Sequence, residues 1–221
     1  DEVPWNVDVA DSVKIAYLIG ALGRGGSERQ LVELAAGMTA RGHRVDVICY
    51  GGAGALDGLA AERAIVVRTT EPGTRLAKLN AVRRFVREAR PDLLHGFMKR
   101  ASSLAVLANI PRRRSRVVAS DLSTATYSRR KPVLWGALVL FRLADVVATQ
   151  TQTNRRSICR LAPWLRGRTI VVRNGVDTER FTPVPRARRG TPFRFVCVGS
   201  VYRVKNPVRV VEAVRLLAAR D

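Results

Sequence analysis

Apolar residues fall along this chain in short runs of about five, separated by longer stretches in which they recur every third or fourth position. The first run, residues 15–19, is β-branched and bounded by glycine, which predicts a buried strand. GALGRGG follows, with four glycines in seven residues, so the backbone can turn sharply and let a ligand approach. Leu31, Leu34, Ala35 and Met38 then share one helical face. Ser27 is the expected cap of that helix and Gly42 its end, before a second strand at 45–50. The same alternation continues. Strands are expected at 64–68, 92–97, 117–120, 146–149 and 169–172, with helices at 56–63, 76–89, 101–110 and 154–162 between them. Alternating strand and helix predicts an α/β doubly wound parallel sheet, Rossmann-like, over residues 13–180.

The pattern changes at both ends. Residues 1–12, DEVPWNVDVADS, lack an apolar core and are expected to be a disordered leader with no signal peptide. Residues 181–192 carry three prolines and three arginines and predict a linker. FRFVCV at 193–198 predicts a new strand, and Asn206-Pro207 opens a helix with Val208, Val211, Val214 and Leu217 on one face. Residues 193–221 therefore look like the first β-α unit of a truncated second domain, because one strand and one helix cannot bury their own faces.

A glycine-rich loop that feeds a helix N-terminus favours a phosphate or carboxylate, since free N–H groups and the helix dipole converge there. Gly20, Gly23, Gly25 and Gly26 are out of register for G-x-G-x-x-G, and the second strand ends in Cys49-Tyr50-Gly51 rather than an acid. That argues against a nicotinamide cofactor. A tight turn without ligand is the alternative.

Charge widens the choice of partners. Net charge is +21, and nearly all of it is arginine, because the 39 basic residues include only Lys14, Lys78, Lys99, Lys131 and Lys205 as lysines. Such a surplus points to acidic surroundings, nucleic acid or an anionic membrane face, or else to coding bias with no partner behind it. Nucleic acid is disfavoured, since no helix-turn-helix, zinc finger or RNA-binding aromatic pair is visible. In SRRKPVLWGALVLF a basic tract abuts ten apolar or small residues, 132–141, too few to span a bilayer, which needs about 20. The tract from Tyr127 to Phe141 reads either as a buried core helix or as a segment that dips into an anionic leaflet. Cys49, Cys159 and Cys197 each sit in an apolar segment with no zinc spacing, and suit buried, reduced thiols of a cytoplasmic protein. His43 and His95 are the only histidines, so no His-based metal cluster is expected.

Five segments, taken in order, resemble the GT-B glycosyltransferases of family 4: GRGGSERQLVELAAGMTARGHRVDV, RPDLLHGF, ADVVATQT, VVRNGVDTERFTP and CVGSVYRVKNP. The resemblance implies a transferase that moves a sugar with retention, and without a catalytic metal or other cofactor, from a nucleotide-sugar to a lipid-linked or polysaccharide acceptor. It implies donor-phosphate contacts at Gly25, Gly26, Gly199, Ser200, Arg203 and Lys205. His95 takes the first position of a His-x-His pattern whose catalytic histidine contacts the donor sugar, with Phe97 at the second. Asn174, Gly175 and Asp177 are expected to shape an interdomain turn. The family's Glu-x7-Glu segment lies further along the second domain than Asp221, so this chain alone is expected to be inactive. Cell-envelope polysaccharide synthesis at the inner face of the plasma membrane would suit the charge. A basic binding module and an inactive truncated paralogue are the competing readings.

Overall fold

The computed structural model describes residues 12–70, 73–121, 132–179, 181–183, 195–199 and 206–219. Strands β1 (Lys14–Ile19), β2 (Arg44–Cys49), β3 (Val66–Thr69), β4 (Leu93–Gly96), β5 (Arg116–Asp121), β6 (Val146–Thr149) and β7 (Thr169–Val171) form one seven-stranded sheet in the order β3-β2-β1-β4-β5-β6-β7. All six pairings are parallel. Helices α1 (Gly26–Ala40), α2 (Asp57–Glu62), α3 (Arg75–Ala89), α4 (Lys99–Asn109), α5 (Pro132–Leu140) and α6 (Gln152–Leu161) make the crossovers. This is the doubly wound architecture expected from the alternation.

Side-chain alternation along β1 builds two cores. Ile15, Tyr17 and Ile19 pack with Leu31, Val32 and Ala35 of α1 and Ala60 of α2. Ala16 and Leu18, one residue out of phase, pack with Val82 and Val86 of α3, with α4, and with Leu138, Phe141 and Ile158 further along. The helices thus divide between the faces, α1 and α2 on one and α3 to α6 on the other. Both faces of β1 are covered, which is why its run is continuously apolar.

Several local expectations are corrected. Gly25, in extended conformation, is the N-cap of α1, and its carbonyl accepts from Arg29 N at 3.2 Å. Ser27 is therefore already inside the first turn and caps nothing. Side-chain caps occur instead at α3 and α6, where Thr74 accepts from Ala77 N at 3.2 Å and Thr151 from Asn154 N at 3.1 Å. α4 starts at Lys99, two residues earlier than expected. Leu76 lies in the first turn of α3, beyond the reach of the sheet, and is exposed.

The chain divides into two units, Asp1–Gly175 and Val176–Asp221. In the second, α7 (Pro207–Ala218) has no buried residue, and residues 195–198 form no strand pairing. The strand expected at 193–198 is thus not formed over its described part, which has no neighbouring strand among the described residues of its own unit. Cys49 and Cys159 are buried as expected, but Cys197 is exposed for the same reason. Residues 1–11 of the expected leader and 184–192 of the expected linker lie outside the described residues, as do residues 127–131 of the Tyr127–Phe141 tract. No helix among the described residues is long and apolar enough to cross a membrane.

One contact fixes the upper end of the sheet. A Cβ on Gly96 would stand 2.3 Å from Ser102 Cα and 2.5 Å from Ser102 N, both backbone. The single Ser102 Oγ proton is shared between Gly96 O at 2.8 Å and Ser120 O at 3.1 Å, pinning α4 across the ends of β4 and β5. Gly96→Ala must push the α4 backbone away, and overpacking of that kind costs about 1–3 kcal/mol. A urea melt of that variant should show a lowered midpoint, and an unchanged midpoint would show that the contact is not limiting.

Candidate functional site

Strand order reverses between β1 and β4, so their crossovers depart to opposite faces and leave a crevice at the strands' C-terminal ends, where open α/β sheets bind ligands. A cleft of about 510 Å³ lies there. Ile19, Gly20 and Ala21 enter it from the end of β1, Ser27 and Glu28 from the first turn of α1, and Tyr50 from the end of β2. Phe97, Met98, Lys99, Arg100 and Asp121 complete it from the β4–α4 connection and the end of β5. The glycine loop does open at this edge.

The loop is held from behind. Gly51 N donates to Gly20 O at 2.6 Å and Leu56 N to Leu22 O at 2.8 Å. A Cβ on Gly54 would meet the Leu22 backbone at 2.3 Å, so only glycine lets the two loops lie this close. A Cβ on Gly26 would meet nothing within 4 Å, whereas one on Gly25 would run into the Glu28 carboxylate. Both glycines sit at the head of α1, next to the cleft-lining Ser27 and Glu28 but not themselves in the lining.

Lys99 and Arg100 were not singled out by sequence, yet they contribute the cleft's positive charge. They occupy the first turn of α4, which contains no acidic residue. Cations there oppose the helix dipole at a cost of about 0.3–1 kcal/mol each. Lys99 Nζ stands 3.9 Å from Oδ1 of the buried Asp121. Met98, just before them, has φ 73° and ψ 159°, a left-handed setting that costs a bulky residue of order 1–3 kcal/mol. Strain and adverse charge in the same turn mark a segment built for something other than stability. The one available signal was position, since these residues directly follow the His95-Gly96-Phe97 strand end.

His95 is not among the residues that line the cleft; the residue as a whole keeps some exposure, but its imidazole is enclosed. Its ring lies 4.8 Å from Phe97 and 5.4 Å from Tyr17, centroid to centroid. Its Nε2 is 2.6 Å from Ser120 Oγ. Burial pulls the imidazole down to about 3, so it is neutral near pH 7. Burial likewise raises the Tyr17 phenol, and raises Tyr50 against the opposing pull of Arg100. His43 accepts a long bond, 3.4 Å, from Val13 N at the turn into β2, a structural position.

Asn174 and Gly175 end the first unit. Gln150 Nε2 donates to Asn174 Oδ1 at 2.8 Å, and Gln30 Nε2 to Gly175 O at 3.0 Å. Those bonds tie the exit of the chain to α1 and to the end of β6. Asp177 falls in the second unit, where its Oδ1 accepts from Glu179 N at 3.1 Å and its carbonyl accepts from Phe181 N at 3.0 Å. Gly199, also in that unit, is exposed. Ser200, Arg203 and Lys205 lie outside the described residues.

Solved structures share this architecture. HepE (Alr3699) of Anabaena, in complex with UDP and glucose, is 22% identical with a TM-score of 0.64, over 78% of this chain and 47% of that one. The lipopolysaccharide outer core galactosyltransferase WaaB in its apo form is 16% identical with a TM-score of 0.57, over 80% of this chain and 50% of that one. An enzyme described as a putative UDP-N-acetylglucosamine 2-epimerase from Listeria monocytogenes is 14% identical with a TM-score of 0.55, over 73% and 45% respectively. This chain therefore spans about half the length of these proteins. No curated protein sequence matches it. The family model described as Glycosyltransferase Family 4 matches residues 24–180, which takes in the end of the glycine loop with Gly25 and Gly26, the β4 cleft wall and the Asn174–Asp177 turn. The chain belongs to glycosyltransferase family 4.

Proposed function

We propose that the chain supplies one wall of a nucleotide-sugar site, and that the donor diphosphate lies between the α1 and α4 N-termini beside Lys99 and Arg100. The observation that carries this reading is the meeting of two helix starts at the crevice between β1 and β4, where Lys99 and Arg100 share the lining with the acids Glu28 and Asp121. Free N–H groups and dipole ends favour a diphosphate there, and the diphosphate would offset the adverse charge in the first turn of α4. HepE, with the same architecture, is described in complex with UDP-glucose, which supports a uridine diphosphate sugar as the donor. Gly25 and Gly26 let the phosphates approach the α1 backbone, and a donor-binding role for Gly199, Ser200, Arg203 and Lys205 rests on their sequence motif alone.

The sugar is transferred with retention and without a catalytic metal to a lipid-linked or polysaccharide acceptor, in cell-envelope polysaccharide synthesis at the inner membrane face. His95 serves as a neutral hydrogen-bonding group toward the donor sugar, since a histidine that titrates near 3 is not a general base at neutral pH.

UDP titration of this chain, followed by backbone NMR shifts, tests the placement. Residues 20–28 and 97–100 should respond. Lys99→Ala and Arg100→Ala should each weaken binding about tenfold, the lower end of a hydrogen bond to a charged group. Arg100 is exposed, so its replacement leaves the fold intact. Shifts confined to the opposite edge of the sheet, or an affinity untouched by both variants, would exclude this site.

His95 gives a second expectation. Its pKa is about 3 in the fold and about 6.5 in an unfolded chain. Protonation therefore favours unfolding. The native state loses stability progressively as pH falls from about 6.5 toward 3, and above 6.5 this contribution is constant. His95→Asn removes the term. Between pH 7.5 and 4.5 the wild-type urea midpoint should fall further than that of the variant, and parallel falls would show that the imidazole is not desolvated.

A further inference from the structure

The fold leaves an apolar surface on the outer side of α5 that neither sheet nor cleft uses. Leu138 and Phe141 are fully buried, so the tract from Tyr127 to Phe141 is not lipid-facing throughout, as one sequence reading had it. Its opposite side is different. Trp135 and Val139, one turn apart, are 38% and 41% exposed, and Leu143 beyond them is 43% exposed. Trp164, 39% exposed, packs edge-to-face on Trp135 with centroids 6.2 Å apart. Arginine guards the same ground. Arg113 donates to Leu143 O at 2.8 Å, and Arg168 donates to Arg142 O and Ala144 O, each at 2.8 Å. Asp145 is the only acid among residues 132–168, and its carboxylate accepts from Val117 N at 2.7 Å.

We infer that the Trp135–Trp164 surface, with its arginine rim, docks on an anionic lipid leaflet. Tryptophan suits the headgroup level, where its apolar body and polar N–H find different neighbours. Val139 and Leu143 would enter the acyl boundary while the guanidiniums stay at the phosphates. A nucleic acid would use the charge but has no use for the aliphatic side chains. The turns before β6 and β7 carry Leu143 and Trp164, at the edge where these strands begin. The diphosphate cleft opens at the edge where strands end. A chain docked this way turns its cleft away from the leaflet, so the acceptor is met from the aqueous side, as an extended glycan or a headgroup carried well clear of the bilayer. That last step rests on the proposed donor site, but the docking itself does not.

The test uses the Trp5→Phe chain, whose emission comes only from Trp135 and Trp164. It should co-sediment with vesicles of equal phosphatidylglycerol and phosphatidylcholine, shift its emission to the blue, and be quenched by brominated acyl chains. Vesicles of phosphatidylcholine alone should hold it at least tenfold more weakly. Trp135→Ala with Trp164→Ala, made in the unsubstituted chain, should lower partitioning at least fivefold. Arg142 and Arg166 are exposed next to Leu143 and Trp164 in the turns before β6 and β7, and if the tryptophan pair fails to fold, Arg142→Ala with Arg166→Ala carries the test and should weaken binding and flatten its salt dependence. Equal affinity for both vesicle types would overturn the inference. So would sedimentation without quenching, or binding unchanged in the folded variants. Displacement by RNA with no quenching by bromolipid would assign the surface to a polyanion instead. UDP binding is measured separately and is indifferent to these outcomes.

Discussion

Everything in the first unit depends on how closely α4 can sit on the end of β4. Only a residue without a side chain admits the Ser102 backbone at that distance, and Ser102 then bridges the carbonyls of Gly96 and Ser120. That single approach sets where the first turn of α4 points. It brings Lys99 beside the buried carboxylate of Asp121 and places Arg100 at the mouth of the crevice. It also holds Met98 in a backbone setting that a bulky residue does not choose by itself. Packing, strain and charge are therefore one arrangement, with the core tolerating a local loss so that cations can face a ligand.

The sheet supplies the rest by topology. β1 and β4 are hydrogen-bonded neighbours, yet α1 leaves β1 toward one core and α4 leaves β4 toward the other. No helix can fill the gap between two such departures, so the crevice follows from strand order and not from any one side chain. What the side chains decide is its electrostatic character. The α1 side offers its first turn, at Ser27 and Glu28. The α4 side offers fixed charge. An anion with two phosphate groups would meet both, whereas a small carboxylate would meet one.

How much of this was legible in the sequence follows from which forces act locally. Strands buried on both sides must be apolar at every position, so β1 stood out from its own residues, and glycine and proline marked most boundaries. The cap of α1 was misplaced by two residues because Ser27 and Gly25 both suit a helix start, and the choice turns on backbone angles. α5 was ambiguous because it is apolar all round: Leu138 faces a core and Val139 faces water, a division that only the packing of α4 and α6 determines. Lys99 and Arg100 were passed over because a basic pair at the start of a helix looks like solvated charge until the opposing wall is seen. FRFVCV has every local preference of a strand, but pairing is not a local property.

The two charged surfaces of the first unit also differ in kind, and the difference bears on how a +21 chain avoids indiscriminate binding. Around α5 the arginines share their N–H groups with carbonyls of the chain itself, at Arg142, Leu143 and Ala144, so their charge is fixed in place and spread over an exposed apolar surface. In the cleft, Lys99 is largely shielded and lies beside a buried acid, which lowers its reach into solvent while leaving it available to a ligand that enters. Exposed charge spread over a surface acts at the range of a Debye length, about 8–10 Å at physiological salt, and weakens as salt rises. Enclosed charge acts at contact and is screened far less. The first would suit an extended, adaptable, anionic surface and the second a compact anion held at short range, so one arginine-rich composition would serve both proposed surfaces, which differ in depth as well as in sheet edge.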